Sequence, residues 1–207
     1  TTLSYILRVC IVIFSSPKRW WREKKLNKPK LLLHICCATC AAYVLKRLQD
    51  DFDVIAYYYN PNIYPDEEYK KRFVEAKKYC LENEIPFIEE VPDQEMWFAL
   101  TKGHELDPER GERCTICYRI RLEKTAVYAK DNNYEYFGTD LSISPHKDAK
   151  RLNEIGQELA LEYGLKHLSA DFKKQDGFKK AMDISKCEGF YRQDYCGCKY
   201  SLEQRNK

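Results

Sequence analysis

The run KLLLHICC is almost continuously apolar and passes straight into CATCAAYVLKRLQD, whose apolar positions recur at helical spacing. A buried strand feeding a helix is predicted there. DVIAYYY, rich in β-branched and aromatic residues and stopped by Asn60-Pro61, reads as a second strand. From Pro65, EEYKKRFVEAKKYCLENE has the period and charge pattern of an exposed amphipathic helix, and PFIEE follows as a short third strand. Pro92-Asp93 opens a short helix through Trp97, residues 103–111 are a polar loop, and Glu112 through Lys130 read as a helix carrying Cys114 and Cys117 in its first turns. YEYFGTD is a fourth strand, SPHKDAKRLNEIGQELALEYG a long helix with Pro145 near its start, and LKHLSA a fifth strand.

Strands that alternate with helices imply an α/β fold with a parallel sheet covered on both faces. Such sheets place their ligand site beyond the carboxyl ends of the strands, and Cys36 and Cys37 fall at the end of the first one. At 207 residues and 44% hydrophobic, the chain can bury one sizeable core. Residues 30–207 are expected to form one domain, preceded by a leader, 1–29. Within and just after that leader, KRWWREKKLNKPK holds seven basic residues, one acid and two tryptophans. Such a segment can neutralise phosphates and stack on bases, stand as a solvated arm, or lie on an anionic membrane surface. A net charge of +3 adds no whole-molecule argument for nucleic acid. Residues 3–14 are apolar but too few to span a bilayer and are interrupted by Arg8, so neither a transmembrane segment nor a secretory signal is expected.

The candidate chemistry lies in the ten cysteines. A disulfide framework belongs to small secreted domains, whereas in a reducing cytosol grouped thiols bind metal or exchange electrons. Seven of them fall into three groups: Cys36-Cys37 with Cys40, Cys114-x-x-Cys117, and Cys196-Gly-Cys198. Cys114 and Cys117, at a helix start, can converge on one centre. Cys36 and Cys37 complete four thiolates if the segments meet, which suits a 4Fe-4S cluster or an all-cysteine zinc site. The ring that Cys196 and Cys198 would close is small and strained, so that disulfide should be readily reduced. A cycling pair, two further metal ligands and two unused thiols all fit the spacing. Cys40, one helical turn on, is either a fifth thiolate, for a second metal, or a buried helix-face thiol. Cys10, Cys80 and Cys187 are isolated in sequence and read as structural thiols.

Ser142, Ser144 and His146 fall in the turn TDLSISPHK, where a strand end and a helix start point at the expected cleft. His146 could donate a proton or bind phosphate; equally, Ser144 could cap the helix with His146 in solvent. Arg119, Arg121, Lys124, Lys147, Lys150 and Arg151 could grip phosphates from two sides or form solvated faces. His34, between apolar neighbours, reads as a core histidine.

LLLHICCATCAAYVL, ERCTICYRIRLEKTA, GTDLSISPHKD and DFKKQDGFKKA followed by YRQDYCGCKYS, taken in this order, resemble the cobalamin-independent epoxyqueuosine reductase family, the QueH type, from about Lys30 to Ser201. The resemblance implies a Rossmann-like sheet of the nucleotide alpha hydrolase-like group with a cysteine-bearing C-terminal extension. It implies a cytoplasmic oxidoreductase that reduces the epoxide of epoxyqueuosine in tRNA to queuosine, the last step in making that nucleoside. By position it makes Cys36, Cys37, Cys114 and Cys117 similar to ligands of a 4Fe-4S cluster, and Cys196 with Cys198 similar to a redox-active pair. The family often has proline before the third cysteine of the first motif, where this chain has Thr39. The chemistry needs an electron store, an acid and a low-potential electron donor. A second, mononuclear iron held partly by Cys40 could bind the epoxide oxygen. A tRNA sulfur-insertion enzyme would need a glycine-rich phosphate loop after the first strand, where HICCATC has no glycine. A zinc-stabilised RNA-binding module would explain Cys114 and Cys117 but not the last pair.

Overall fold

A computed structural model describes residues 28–206. Most of the basic leader, both of its tryptophans and Cys10 lie outside the described residues.

Five parallel strands form one sheet: β1 (Lys30–His34), β2 (Asp53–Tyr58), β3 (Phe87–Glu89), β4 (Tyr136–Thr139) and β5 (Lys166–His167). Their order is β3-β2-β1-β4-β5. The chain therefore builds outward from β1 to β3, then returns to the other side of β1 for β4. Between β1 and β4 lies the switch point where open α/β sheets bind ligands. Side chains alternate across the sheet. Leu31 and Leu33 of β1 enter one apolar layer with Ala41, Leu45 and Ala181, while Leu32 enters the other with Leu122, Phe137 and Leu159. Helices α1 (Ala38–Leu48), α2 (Asp66–Glu82) and α6 (Gly177–Glu188) contribute to the first layer. The second is built from α3 (Gln94–Leu100), α4 (Glu112–Asp131) and α5 (Ala149–Tyr163). A short α7 (Lys199–Arg205) closes the described chain. The sheet and its two helical layers agree with the α/β fold expected from the sequence.

Three boundaries differ from the sequence reading. The short helix continues past Trp97 to Leu100, and the fifth strand is only Lys166–His167 at the sheet edge. The helix expected to begin near Pro145 begins at Ala149: the Asp148 carboxylate accepts from the Arg151 N–H and caps it. Residues 141–143 instead form one 3-10 turn, and the Ser144 hydroxyl accepts from the His146 N–H rather than capping a helix. Gly164, at φ +69°, stops α5 in the left-handed conformation. Among the described residues no helix is long and apolar enough to cross a membrane.

Candidate metal and redox site

The first thiol group stands where β1 gives way to α1. Cys37 occupies the position before the first helical residue, with Cys40 one turn on. Backbone N–H groups at a helix start favour a thiolate. The sulfurs of Cys36, Cys37 and Cys40 all lie within 4.8 Å of one another, the tightest grouping of potential metal donors among the described residues. The Cys36 and Cys37 sulfurs are 3.8 Å apart. The trio shares its protons unevenly. Hydrogen bonds from Cys36 and then Cys40, with the charge of Arg72, hold Cys37 well below the usual thiol range. Cys36 and Cys40, which donate to it, are held well above that range, with desolvation adding to the effect. The backbone N–H of Cys36 donates to Asp140 Oδ2 at 3.3 Å, tying the end of β1 to the end of β4 across the switch point. Burial first, then the charge of Cys37, raises the Asp140 carboxyl well above its ordinary value.

The second group sits at the start of α4, with Cys114 and Cys117 both buried. They lie outside the tight trio and pack in the opposite apolar layer, which Cys36 also touches. Arg121, one turn beyond Cys117, links the groups electrostatically. It is 4% exposed, its Nε donates to the Cys117 carbonyl at 3.3 Å, and it has no ion pair with a carboxylate among the described residues. Burial opposes its charge, but Cys117 and Cys36, with further help from Tyr118 and Cys196, keep it firmly protonated.

The third group arrives on the irregular segment before α7. The sulfurs of Cys196 and Cys198 are 3.6 Å apart and not bonded. The hydrogen bond shared with Cys198, with Lys147 and Ser201 behind it, outweighs burial and holds Cys196 well below the usual thiol range; the same bond, with burial, pushes Cys198 up. Arg72 of α2 fixes this segment. Its Nε pairs with Glu68 at 2.7 Å, and its two terminal nitrogens donate to the carbonyls of Tyr195 and Cys196. Gly197 has φ +108°, and a Cβ there would come within 2.8 Å of the Arg72 guanidinium. Both the turn and the arginine thus require glycine. The Tyr64 N–H donates to the Gly197 carbonyl at 2.8 Å from the other side.

Between these groups is a cavity of about 300 Å³ lined by Cys36, Cys40 and Cys196, with Arg72, Arg121 and Lys147 adding positive charge. Cys37, Cys114, Cys117 and Cys198 are not among its lining residues. His146 is at its mouth, 71% exposed, with Nδ1 3.5 Å from Glu109, which also meets Lys147. Ser144 lines the cavity, whereas Ser142 is buried beside it, its hydroxyl accepting from the Phe172 N–H. Arg119 instead pairs with Glu158, and Lys124 with Glu90. His34 is a core histidine as expected: Nε2 donates to the Tyr59 carbonyl at 3.0 Å, and Nδ1 lies 3.0 Å from the Thr139 hydroxyl. Burial, aided by Arg121, lowers its pKa to about 3.

Several lining groups carried no signal in the sequence reading: Asn60, Asn62, Arg72, Glu109 and Gln193, together with Asp140 behind them. Asp140, at a strand end beside the flagged turn, and Asn60 and Asn62, just past the second strand, were within reach of the strand-end rule. The donor set suits a thiolate-ligated iron-sulfur group. The described thiols are unbridged, two groups sit at the starts of helices longer than ten residues, and two buried guanidiniums face them.

A family model described as epoxyqueuosine reductase QueH matches residues 31–204. A protein of that name from Acinetobacter baylyi is 39% identical over 183 residues, 87% of this chain and 84% of its own. Another from Histophilus somni is 42% identical over 180 residues, 86% of this chain and 74% of its own. Among solved structures, a U34-tRNA thiolase, NcsA from Methanococcus maripaludis with its 4Fe-4S cluster, superposes with a TM-score of 0.55 at 16% identity, over 87% of this chain and 63% of the thiolase. That likeness is one of fold. With a model spanning nearly all the described residues and relatives at this identity, the chain belongs to the epoxyqueuosine reductase QueH family.

Proposed function

We propose that this protein reduces the epoxide of epoxyqueuosine in tRNA to the alkene of queuosine, as the relatives' name describes. The carrying observation is the set of thiols gathered in and behind one basic cavity at the switch point of a QueH-family fold. Breaking both C–O bonds of an epoxide and releasing the oxygen as water takes two electrons and two protons. Oxidation of two thiols to a disulfide releases the same number of each. Cys196 is the member of the last pair that lines the cavity and bears the depressed thiol, so it is the sulfur that meets an incoming reactant; Cys198, buried behind it, closes the bond. A low-potential electron donor then restores the dithiol.

Cys36, Cys37, Cys114 and Cys117 would hold a 4Fe-4S cluster, and Cys40 would contribute to a second, mononuclear iron. When bound, such a cluster supplies electrons singly. Arg72 and Arg121 oppose the negative charge of the thiolates from fixed positions, and the helix starts orient Cys37 and Cys114. Lys147, largely buried beside Cys196, and the exposed His146 form one rim of the cavity, where His146 contacts a tRNA phosphate or passes a proton. Such an enzyme works where its tRNA is, in the cytoplasm.

The test is anaerobic iron and sulfide analysis with a visible spectrum before and after dithionite, followed by turnover of epoxyqueuosine-tRNA. About four irons and four sulfides, absorbance that bleaches on reduction, and formation of queuosine are expected. Cys196→Ser and Cys37→Ser should each abolish turnover, but only the latter should lose colour. A colourless zinc protein after attempted reconstitution would overturn the electron-transfer reading.

A further inference from the structure

Asn62 is 4% exposed and lines the cavity, yet its buried Oδ1 has no hydrogen-bond partner. A buried carboxamide left unpaired is costly, and natural interiors rarely tolerate one unless a ligand completes it. The backbone does not explain the residue. Asn60-Pro61-Asn62-Ile63 is a turn closed by the Ile63 N–H to the Asn60 carbonyl at 3.2 Å. Asparagine at its third position would be called for by a left-handed conformation, but Asn62 is not among the residues with positive φ. Nor is the turn loosely held: Gln94 Nε2 donates to the Ile63 carbonyl at 2.9 Å, and Tyr64 is tied to Gly197, so the backbone that carries Asn62 is fixed at the cavity. Gln193 repeats the pattern: Nε2 donates to the Cys37 sulfur at 3.2 Å, leaving Oε1 buried and unpaired at the same cavity.

These preformed acceptors, with the likewise unpaired Asn60 Oδ1 in the same basic, thiol-lined recess, select a ligand that brings donors. On the reading of function given above, we propose that Asn62, with Gln193 as a second acceptor, is a specificity-determining contact that accepts a hydrogen bond from an O–H or N–H donor on the substituent that the modified base carries and guanosine lacks. A site built this way rejects a nucleoside that cannot supply the donor, because the acceptor is then sealed in without a partner.

The experiment uses cluster-loaded protein, anaerobic and without an electron donor, so that binding is read without turnover. Two tRNAs of one sequence serve as probes, one bearing epoxyqueuosine and one guanosine at the same position. Wild type should prefer the modified tRNA. Asn62→Leu should weaken that binding about tenfold or more while binding of the guanosine tRNA and the visible spectrum stay unchanged, and Asn62→Asp, which keeps an acceptor, should restore part of the preference. Should Asn62→Leu lose its cluster, the smaller Asn62→Ser is read by the same ratio. A variant that retains the wild-type preference overturns the role of Asn62. Wild type that turns over the modified tRNA but binds both alike also overturns it and leaves the reductase reading standing. Wild type that neither prefers nor reduces the modified tRNA overturns both.

Discussion

In the interior of the sheet, His34 is buried with both ring nitrogens engaged. Just beyond the carboxyl ends of the same strands, Asn62 Oδ1, Gln193 Oε1 and Asp140 Oδ1 are equally sealed from water and engaged by nothing. The two arginines repeat the contrast. Arg72 spends its guanidinium on Glu68 and two carbonyls, whereas Arg121 has a single carbonyl and a set of thiols. The difference separates groups that hold the fold from groups held ready by it. Buried polar groups without partners also occur elsewhere, as at Tyr58 and Trp97, but Asn62, Gln193 and Asn60 differ in lining a cavity that a ligand can enter.

The largest effect should come from breaking the satisfied side. Arg72→Met leaves Glu68 buried without its partner and should cost about 3–5 kcal/mol in chemical denaturation, most of which the double variant with Glu68→Gln should recover. The unsatisfied side should respond in the opposite way. Arg121→Met removes a buried charge with no carboxylate partner, so stability should hold or rise, while turnover falls about 10- to 100-fold and the cluster's reduction potential becomes more negative. Arg121→Lys should restore most of the potential. If Arg121→Met unfolds like Arg72→Met, the contrast between the two arginines is lost.

His167 sets the smallest test, since its Nε2 is buried and unpaired far from the thiols, against Phe137 and Gly156. This nitrogen is an unpaired acceptor too, but it does not line the cavity. Burial lowers its pKa to about 4 from 6.5. Below pH 6.5 the unfolded chain binds a proton that the folded one refuses. Stability contributed by the neutral ring is therefore complete above pH 6.5 and is lost as pH falls toward 4, by at most about 1.4 kcal/mol per pH unit. Unfolding curves of wild type and His167→Gln should diverge across that window and run parallel below it.

Much of this arrangement was legible in the chain. Continuous apolar runs announce β1 and β2, and helical period announces α1, because Leu31, Leu32 and Leu33 are all buried while Lys46 and Arg47 point outward. The thiol groups were legible because each is local: Cys37 at the start of α1, Cys114 and Cys117 in the first turns of α4, Cys198 at the start of α7. What local pattern could not carry is distance. Arg72 reaches carbonyls more than a hundred residues downstream, and on its own helix it reads as one more exposed cation. Asn62 looks like a turn residue until its surroundings are known. The start of α5 was misplaced for a local reason: Pro145 and Asp148 are both helix openers, and the capping hydrogen bond chose the second.

The clasp of Arg72 and Tyr64 on residues 195–197 also bears on how the molecule is made. A chain leaves the ribosome from its amino end, and every strand of the sheet is synthesised before Arg192 to Cys196 supply their side of the cavity. The side of the cavity that carries Cys36 and Cys40 is therefore made well before the segment that carries Cys196, like a case whose clasp is fitted last.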